Sequence, residues 1–132
     1  MSIPVALAEL ASAMSSFDYA FFLTVSDGAR PHAVAVSPVW TADGSGLAFE
    51  GGRRTCANAS ARPDVSLVFP PREPGGYSLI VDGSASVDGG GSISVRPETA
   101  VLHRPAPADH TPEPGACGAD CQPIMRADEG AR

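Results

Sequence analysis

Hydrophobic and polar residues alternate with the two-residue period of β-strands through most of the chain before residue 104. The run from Tyr19 to Val25 is aromatic and β-branched, and it ends at the turn pair Asp27-Gly28. Similar runs follow, separated by glycine-rich and proline-rich turns. The pattern predicts six strands, over Tyr19–Val25, Pro31–Trp40, Leu47–Glu50, Val65–Phe69, Tyr77–Val87 and Ile93–Leu102.

Two short helices interrupt this pattern. Apolar residues at helical spacing between Pro4 and Ser15 predict an amphipathic N-terminal helix. A second helix is predicted after Arg53-Arg54, as a crossover between the third and fourth strands. The elements indicate an all-β-dominated fold, a six-stranded antiparallel barrel that is closed or nearly closed, with a local meander in its first half. A β-sandwich is the alternative.

The C-terminal segment differs in composition from the rest of the chain. Small and polar residues surround Pro105, Pro107, Pro112 and Pro114, and such a sequence buries little apolar surface. We therefore expect one barrel domain over residues 1–103 and a Pro/Gly-rich arm over residues 104–132, extended or disordered.

The overall composition narrows the classes of partner. The chain has 132 residues, is 43% hydrophobic and carries a formal net charge of −6. Nucleic acids and anionic membranes attract positive surfaces, so neither is an expected partner. No run approaches the roughly 20 apolar residues of a membrane span, and no signal peptide is evident, so we expect a cytoplasmic protein.

The cysteines do not form a disulfide framework, because Cys56, Cys117 and Cys121 are few and unevenly spaced. His110 and Asp120 lie near the last two cysteines and offer further metal ligands. Their spacing is not a strong zinc signature, and a disulfide or free thiols are equally simple interpretations. We therefore predict no metal site.

The segment Gly51–Thr55 combines a glycine turn with paired arginines at the start of the predicted helix. Helix N-terminal amides and the guanidinium groups of Arg53 and Arg54 together suit a phosphate group. Asn58 lies one helical turn after Arg54, on the same face. The alternative interpretation, to which composition alone gives equal weight, is a tight turn with solvated surface charges.

A longer succession of residues carries a family resemblance. The run Ala29–Trp40 is followed by Gly-Gly-Arg-Arg-Thr, then by Asn58, Arg62-Pro63 and Val65-Ser66-Leu67. This succession resembles the pyridoxamine 5′-phosphate oxidase-like, FMN-binding split-barrel superfamily, from about Tyr19 to Ser86. The resemblance implies a homodimer with the flavin at the subunit interface.

The resemblance also implies roles for particular residues. The segment around Arg54 would grip the flavin phosphate, the strand Ala35–Ser37 would lay its backbone along the isoalloxazine ring, and Tyr77 and Ser78 would lie near the cofactor. The predicted cofactor-binding residues are Ala35, Val36, Ser37, Gly52, Arg53, Arg54, Thr55, Asn58, Tyr77 and Ser78.

The chain departs from the family pattern at two positions. Thr55 stands where many relatives carry lysine, and Val34 stands where pyridoxamine phosphate oxidases carry arginine. The C-terminal substrate-binding region of those enzymes also finds no match. Oxidation of pyridoxamine phosphate is therefore not assigned to this chain.

The sequence thus predicts an FMN-dependent oxidoreductase that transfers hydride or electrons to a small organic substrate, with no catalytic side chain identified. The alternatives are a deazaflavin-binding or haem-binding barrel, a non-catalytic carrier, and a cofactor-free dimer. His32 lies on the second strand, where it could contact a ligand. We interpret it as a half-buried packing residue.

Overall fold

The computed structural model describes residues 6–106 and 120–124. A 3₁₀ turn at Leu7–Glu9 leads into helix α1 (Leu10–Met14), and helix α2 spans Arg53–Ala61. Both predicted helices are therefore present, and the start of the first lies outside the described residues. No helix within the described ranges is long and apolar enough to cross a membrane.

One antiparallel sheet contains all the strands of the described chain. Its strand order is β2-β1-β5-β6-β7-β4-β3, and β8 pairs with β7 beside this path. The strands are β1 (Ala20–Val25), β2 (Pro31–Val36), β3 (Val39–Trp40), β4 (Leu47–Glu50), β5 (Asp64–Phe69), β6 (Ser78–Val87), β7 (Ser92–Arg104) and β8 (Asp120–Ile124).

The sheet curls because its two ends are joined by a very short connection. Strands β2 and β3 lie at opposite ends of the strand order, yet only Ser37 and Pro38 separate them in the chain. An extended chain covers at most about 3.6 Å per residue, so the Cα atoms of Val36 and Val39 lie within about 11 Å of each other. The resulting half-barrel confirms the predicted fold class.

The prediction of one strand over Pro31–Trp40 was wrong. The structure divides this run into β2 and β3, which pair with different neighbours. Pro38 has no backbone N–H to donate to a ladder, so the strand ends before it. The local pairings that the predicted meander requires are present, because β2 pairs with β1 and β3 pairs with β4. Strand β4 also pairs with β7, which is distant in sequence.

The last described strand lies within the segment predicted as an arm. Strand β8 pairs with the end of β7, from Ala100↔Ile124 to Arg104↔Asp120. The sequence pattern predicts no strand there. His110 and Cys117 lie outside the described residues, and the division into a barrel domain and an arm stays a prediction.

The core fills the inner face of the curled sheet. The rings of Phe22 and Phe49 meet edge to face, with centroids 4.7 Å apart. Leu10 of α1 is fully buried in the same cluster, so the N-terminal helix covers part of the barrel. Burying a side chain of this size contributes about 1.5–3 kcal/mol. The other fully buried large apolar residues are Leu47, Leu67, Leu79, Val81, Ile93 and Val95.

Candidate functional site

Two adjoining clefts lie where the curled sheet brings β2 towards β4. The first, here called the seam cleft, has a volume of about 630 Å³ and is lined by Tyr19, Ala35, Val36, Ser37, Val39, Ala48, Phe49, Glu50 and Ser92. The second, here called the arginine cleft, has a volume of about 400 Å³ and is lined by His32, Val34, Ala35, Val36 and the segment Glu50–Thr55. Ala35, Val36 and Glu50 line both clefts, so the clefts adjoin, and together they are here called the groove. Its size suits a cofactor-sized ligand.

The glycine turn positions the start of α2 in the arginine cleft. A Cβ atom on Gly51 would lie 2.4 Å from Ile93 Cδ1 and 3.3 Å from Cys56 Sγ, so a larger residue there would require the Ile93 side chain to move. A Cβ on Gly52 would meet nothing within 4 Å, and Gly52 is the N-cap of α2. The turn is therefore packed against β7 on one side and open to a ligand on the other.

The first turn of α2 presents unused hydrogen-bond donors. No side chain caps this end, and the first intrahelical bond runs from the N–H of Cys56 to the carbonyl of Gly52, at 2.9 Å. The amides of Arg53, Arg54 and Thr55 therefore have no acceptor within the helix. Together with the helix dipole, they favour an anion at this position.

The two guanidinium groups beside these amides are available to a ligand. Arg53 and Arg54 are exposed, and neither forms a hydrogen bond or an ion pair with any residue that the structure describes. Arg62 and Arg72, in contrast, bind the carboxylates of Asp27 and Asp18 at 2.9 and 2.8 Å. The arginine cleft therefore holds two guanidinium groups that have no ion-pair partner among the described residues.

Buried polar residues attach α2 to the barrel. The Asn58 side-chain amide donates to the Thr24 hydroxyl at 3.1 Å, and both residues are buried. Thr55, one turn earlier, is only 3% exposed, although it reaches the wall of the arginine cleft. Thr55 and Asn58 thus anchor the helix to the barrel, and Asn58 does not line either cleft.

Strand β2 offers main-chain groups along the groove. Within the described chain it pairs only with β1, so its other edge is free. The Ser26 N–H donates to the Arg30 carbonyl at 3.0 Å. Hydrogen-bonded and non-hydrogen-bonded pairs alternate along an antiparallel ladder, so this bond determines which residues of β2 bond to β1. In this register the backbone groups of Ala33 and Ala35 point away from β1. They can therefore serve a planar ligand with both donors and acceptors along one edge.

Tyr77 and Ser78, like Asn58, do not line this groove. Ser78 pairs with His103, whereas the opposite end of β6 pairs with the part of β7 that adjoins β4. The Arg104 guanidinium carbon lies 4.3 Å from the centroid of the Tyr77 ring. Within a single chain, the structure brings Ala35–Ser37 and Gly52–Thr55 together but leaves Tyr77 and Ser78 outside.

Three lining residues have a place in the groove that the sequence did not indicate. Glu50 stands between the two clefts, and Tyr19 and Ser92 line the seam cleft. The curling of the sheet brings these three residues together from distant parts of the sequence, so no local sequence motif indicates them. His32, interpreted above as a packing residue, lines the arginine cleft, and its Nδ1 atom is buried without a partner.

The fold is the split-barrel fold of pyridoxamine 5′-phosphate oxidase-like proteins. A Listeria innocua protein named after pyridoxamine 5′-phosphate oxidase superimposes with a TM-score of 0.60 at 16% identity, covering 73% of this chain and 96% of that one. An F420 reductase has a TM-score of 0.52 at 21% identity, with coverage of 66% and 94%. HutZ, a haem storage protein from Vibrio cholerae, has a TM-score of 0.51 at 15% identity, with coverage of 71% and 92%.

Closer relatives come from mycobacteria. The uncharacterized proteins Mb0449c of Mycobacterium bovis and MT0457 of Mycobacterium tuberculosis are each 38% identical over 131 aligned positions, which span 89% of this chain and 92% of theirs. The chain belongs to the same family as these two proteins. No protein-family model matches it.

Proposed function

We propose that this protein binds flavin mononucleotide in the groove formed by the arginine and seam clefts, and that it is an oxidoreductase acting on a small organic substrate. The observation that carries the proposal is the pair of guanidinium groups, without an ion-pair partner among the described residues, beside the free amides of α2. Two cations and a helix N-terminus match the nearly two negative charges of a phosphate monoester.

The rest of the groove fits the remainder of this cofactor. The phosphate belongs at the α2 end, because the Glu50 carboxylate repels an anion between the two clefts. The free backbone groups of Ala35 can pair with the polar edge of a flavin ring, and Tyr19 and Phe49 give the seam cleft an apolar wall. FMN, when bound, supplies reversible hydride and electron transfer. The protein groups hold the phosphate, orient the ring and exclude water from one of its faces.

A deazaflavin cofactor is the second candidate. The F420 reductase among the structural neighbours favours it, and a deazaflavin shares the phosphate group and the polar ring edge of FMN. A haem group is the third, supported by the similarity to HutZ. Haem iron needs an axial ligand such as histidine or tyrosine, which His32 or Tyr19 would have to supply in this groove.

We also propose that the protein is a homodimer that buries the outer face of its sheet. Five apolar residues follow one another across that face in register: Ala35, Phe21, Val68, Ile80 and Val101. Phe21 is 38% exposed, and neighbouring Tyr19 is 41% exposed. A continuous apolar row on the outside of a barrel is costly in water and is typical of an interface. Since Ala35 also lines the groove, the cofactor would lie at the edge of this interface.

Titration of the cofactor-free protein with FMN, F420 and haemin, followed by absorbance and fluorescence, tests the proposal. We expect micromolar or tighter binding of FMN, and weaker binding of riboflavin, which lacks the phosphate. Preference for F420 or haemin would transfer the proposal to that cofactor. No binding of any of the three would refute it and leave a cofactor-free dimer.

Turnover separates an enzyme from a carrier. The FMN-loaded protein is mixed with NADH or NADPH without oxygen, and bleaching of the flavin band is recorded. Rapid bleaching supports an oxidoreductase, and an unchanged spectrum supports a non-catalytic carrier. A cytoplasmic location stays a prediction of the sequence.

A further inference from the structure

We infer that His32 is a third ligand of the phosphate group, donating a hydrogen bond from its Nε2–H beside the guanidinium groups of Arg53 and Arg54. This inference rests on the proposed function, because it assigns a residue to the same phosphate site. It also gives His32 a role that its strand position alone does not indicate.

The first step is the location of the imidazole. His32 lines the arginine cleft together with Arg53, Arg54 and Thr55. It pairs in register with Thr24, whose hydroxyl binds the Asn58 amide of α2. The Asn58–Thr24 contact therefore ties the base of α2 to the point of β1 that faces His32. The imidazole belongs to the phosphate end of the groove and not to the Ala35–Ser37 end.

The second step is the position of the ring proton. His32 Nδ1 is buried and has no hydrogen-bond partner among the described residues. A proton on Nδ1 would leave a buried N–H without an acceptor, which costs more than an unused lone pair. We therefore assign the proton to Nε2. Nε2 is not one of the buried unpartnered atoms, and no described residue binds it, so it is the nitrogen open to the cleft.

The third step is the charge balance of the cleft. Thr55 is 3% exposed and carries no charge, and Glu50 brings a negative charge to the lining. Only Arg53 and Arg54 contribute cations to the part of the cleft that the structure describes. A further N–H donor beside them completes a set of donors that an anion with three free oxygens can occupy.

Three substitutions at one position test the assignment. The side-chain amide of His32→Gln places an N–H where Nε2 lies, that of His32→Asn places it near Nδ1, and His32→Ala removes both. We expect His32→Ala and His32→Asn to lose about ten-fold in FMN affinity, and His32→Gln to stay within about three-fold of wild type. Riboflavin affinity should be unchanged in all three variants.

The outcomes distinguish this inference from the proposed function. If wild-type protein does not bind FMN, the proposed function fails and the inference with it. If wild type binds FMN and His32→Ala binds equally well, only the inference fails. Equal losses in His32→Gln and His32→Ala would overturn the Nε2–H assignment, and a parallel loss for riboflavin would overturn the placement at the phosphate.

A measurement on the wild-type chain avoids any effect of substitution on folding. The chain has three histidines, so the ¹⁵N imidazole signals can be assigned by comparison with His32→Gln. We expect the His32 signal to show a proton on Nε2 and to shift when FMN is added, but not with riboflavin. A neutral ring with its proton on Nδ1, or equal shifts with both ligands, would refute the inference.

Discussion

Removal of the two cleft arginines is the most direct perturbation of the proposed phosphate site. The variants are Arg53→Ala, Arg54→Ala and the double variant, each titrated with FMN and with riboflavin. Arg96→Ala is the matched control, because Arg96 is also exposed, lies outside the groove and has only a 3.9 Å ion pair with Glu98.

The expected magnitude follows from exposure. Two unit charges 4 Å apart attract by about 1 kcal/mol in water and by about 4 kcal/mol at a partly shielded surface. Since both guanidinium groups are exposed, the lower part of this range applies, and a dianion roughly doubles the value in water. Each single variant should therefore lose about 1–2 kcal/mol, or about 5-fold to 30-fold in FMN affinity.

The assay is fluorescence titration at several salt concentrations. Wild-type affinity for FMN should fall as salt rises, the double variant should show a smaller salt dependence, and riboflavin should show little in either protein. The reasoning is refuted if the double variant binds FMN as tightly as Arg96→Ala does. It is equally refuted if riboflavin binding falls in parallel, because riboflavin has no phosphate.

Three further predictions concern the helix anchor, the outer face and one turn. Asn58→Ala should lower the free energy of unfolding by about 1–3 kcal/mol in urea denaturation. The double variant Asn58→Ala/Thr24→Val should lose less stability than the sum of the losses in the two single variants, and strictly additive losses would contradict a shared hydrogen bond. Phe21→Arg should raise the dimer dissociation constant about 100-fold or more in analytical ultracentrifugation, while Phe21→Leu stays dimeric; a dimeric Phe21→Arg protein would exclude this face. Hydrogen bonds from the Thr41 and Ser45 hydroxyls lower the pKa of Asp43 from 3.8 to about 2, so its contribution to stability is present above pH 3.8 and is lost as the pH falls towards 2. Asp43→Asn should lack this pH dependence in acid unfolding, and identical unfolding profiles for the variant and the wild type would contradict the prediction.

The strands were largely predictable, because a sheet with one buried face has alternating apolar and polar residues along each strand. The run through Ser37-Pro38 shows the limit of that signal. The alternation continues across Pro38, so periodicity alone predicts one strand, whereas the missing N–H of proline ends β2 and lets β3 join the opposite end of the sheet. Strand β8 was missed because its partner on β7 is distant in sequence.

The candidate site was predictable where it is local. Gly52, Arg53 and Arg54 are consecutive, and a glycine turn before a helix is visible in the sequence. Glu50 and Ser92 meet the Ala35 end of the groove only because the sheet curls, so a one-dimensional pattern contains no sign of them. The orphaned Nδ1 atom of His32 depends on what packs against it, and that also requires the fold.

The buried residues of α2 contribute to stability, and its exposed arginines contribute to ligand binding. Thr55 and Asn58 are buried and hold the helix to the barrel, whereas Arg53 and Arg54 are exposed and contact no described side chain through a polar bond. Changes at the arginines should therefore alter FMN affinity and leave the free energy of unfolding within about 0.5 kcal/mol of wild type. Changes at Asn58 should lower stability and FMN affinity together, because a displaced helix no longer aims its amides at the phosphate. This also fits an uncharged residue at position 55: Thr55 is buried against the barrel, and the charge lies on the two residues before it.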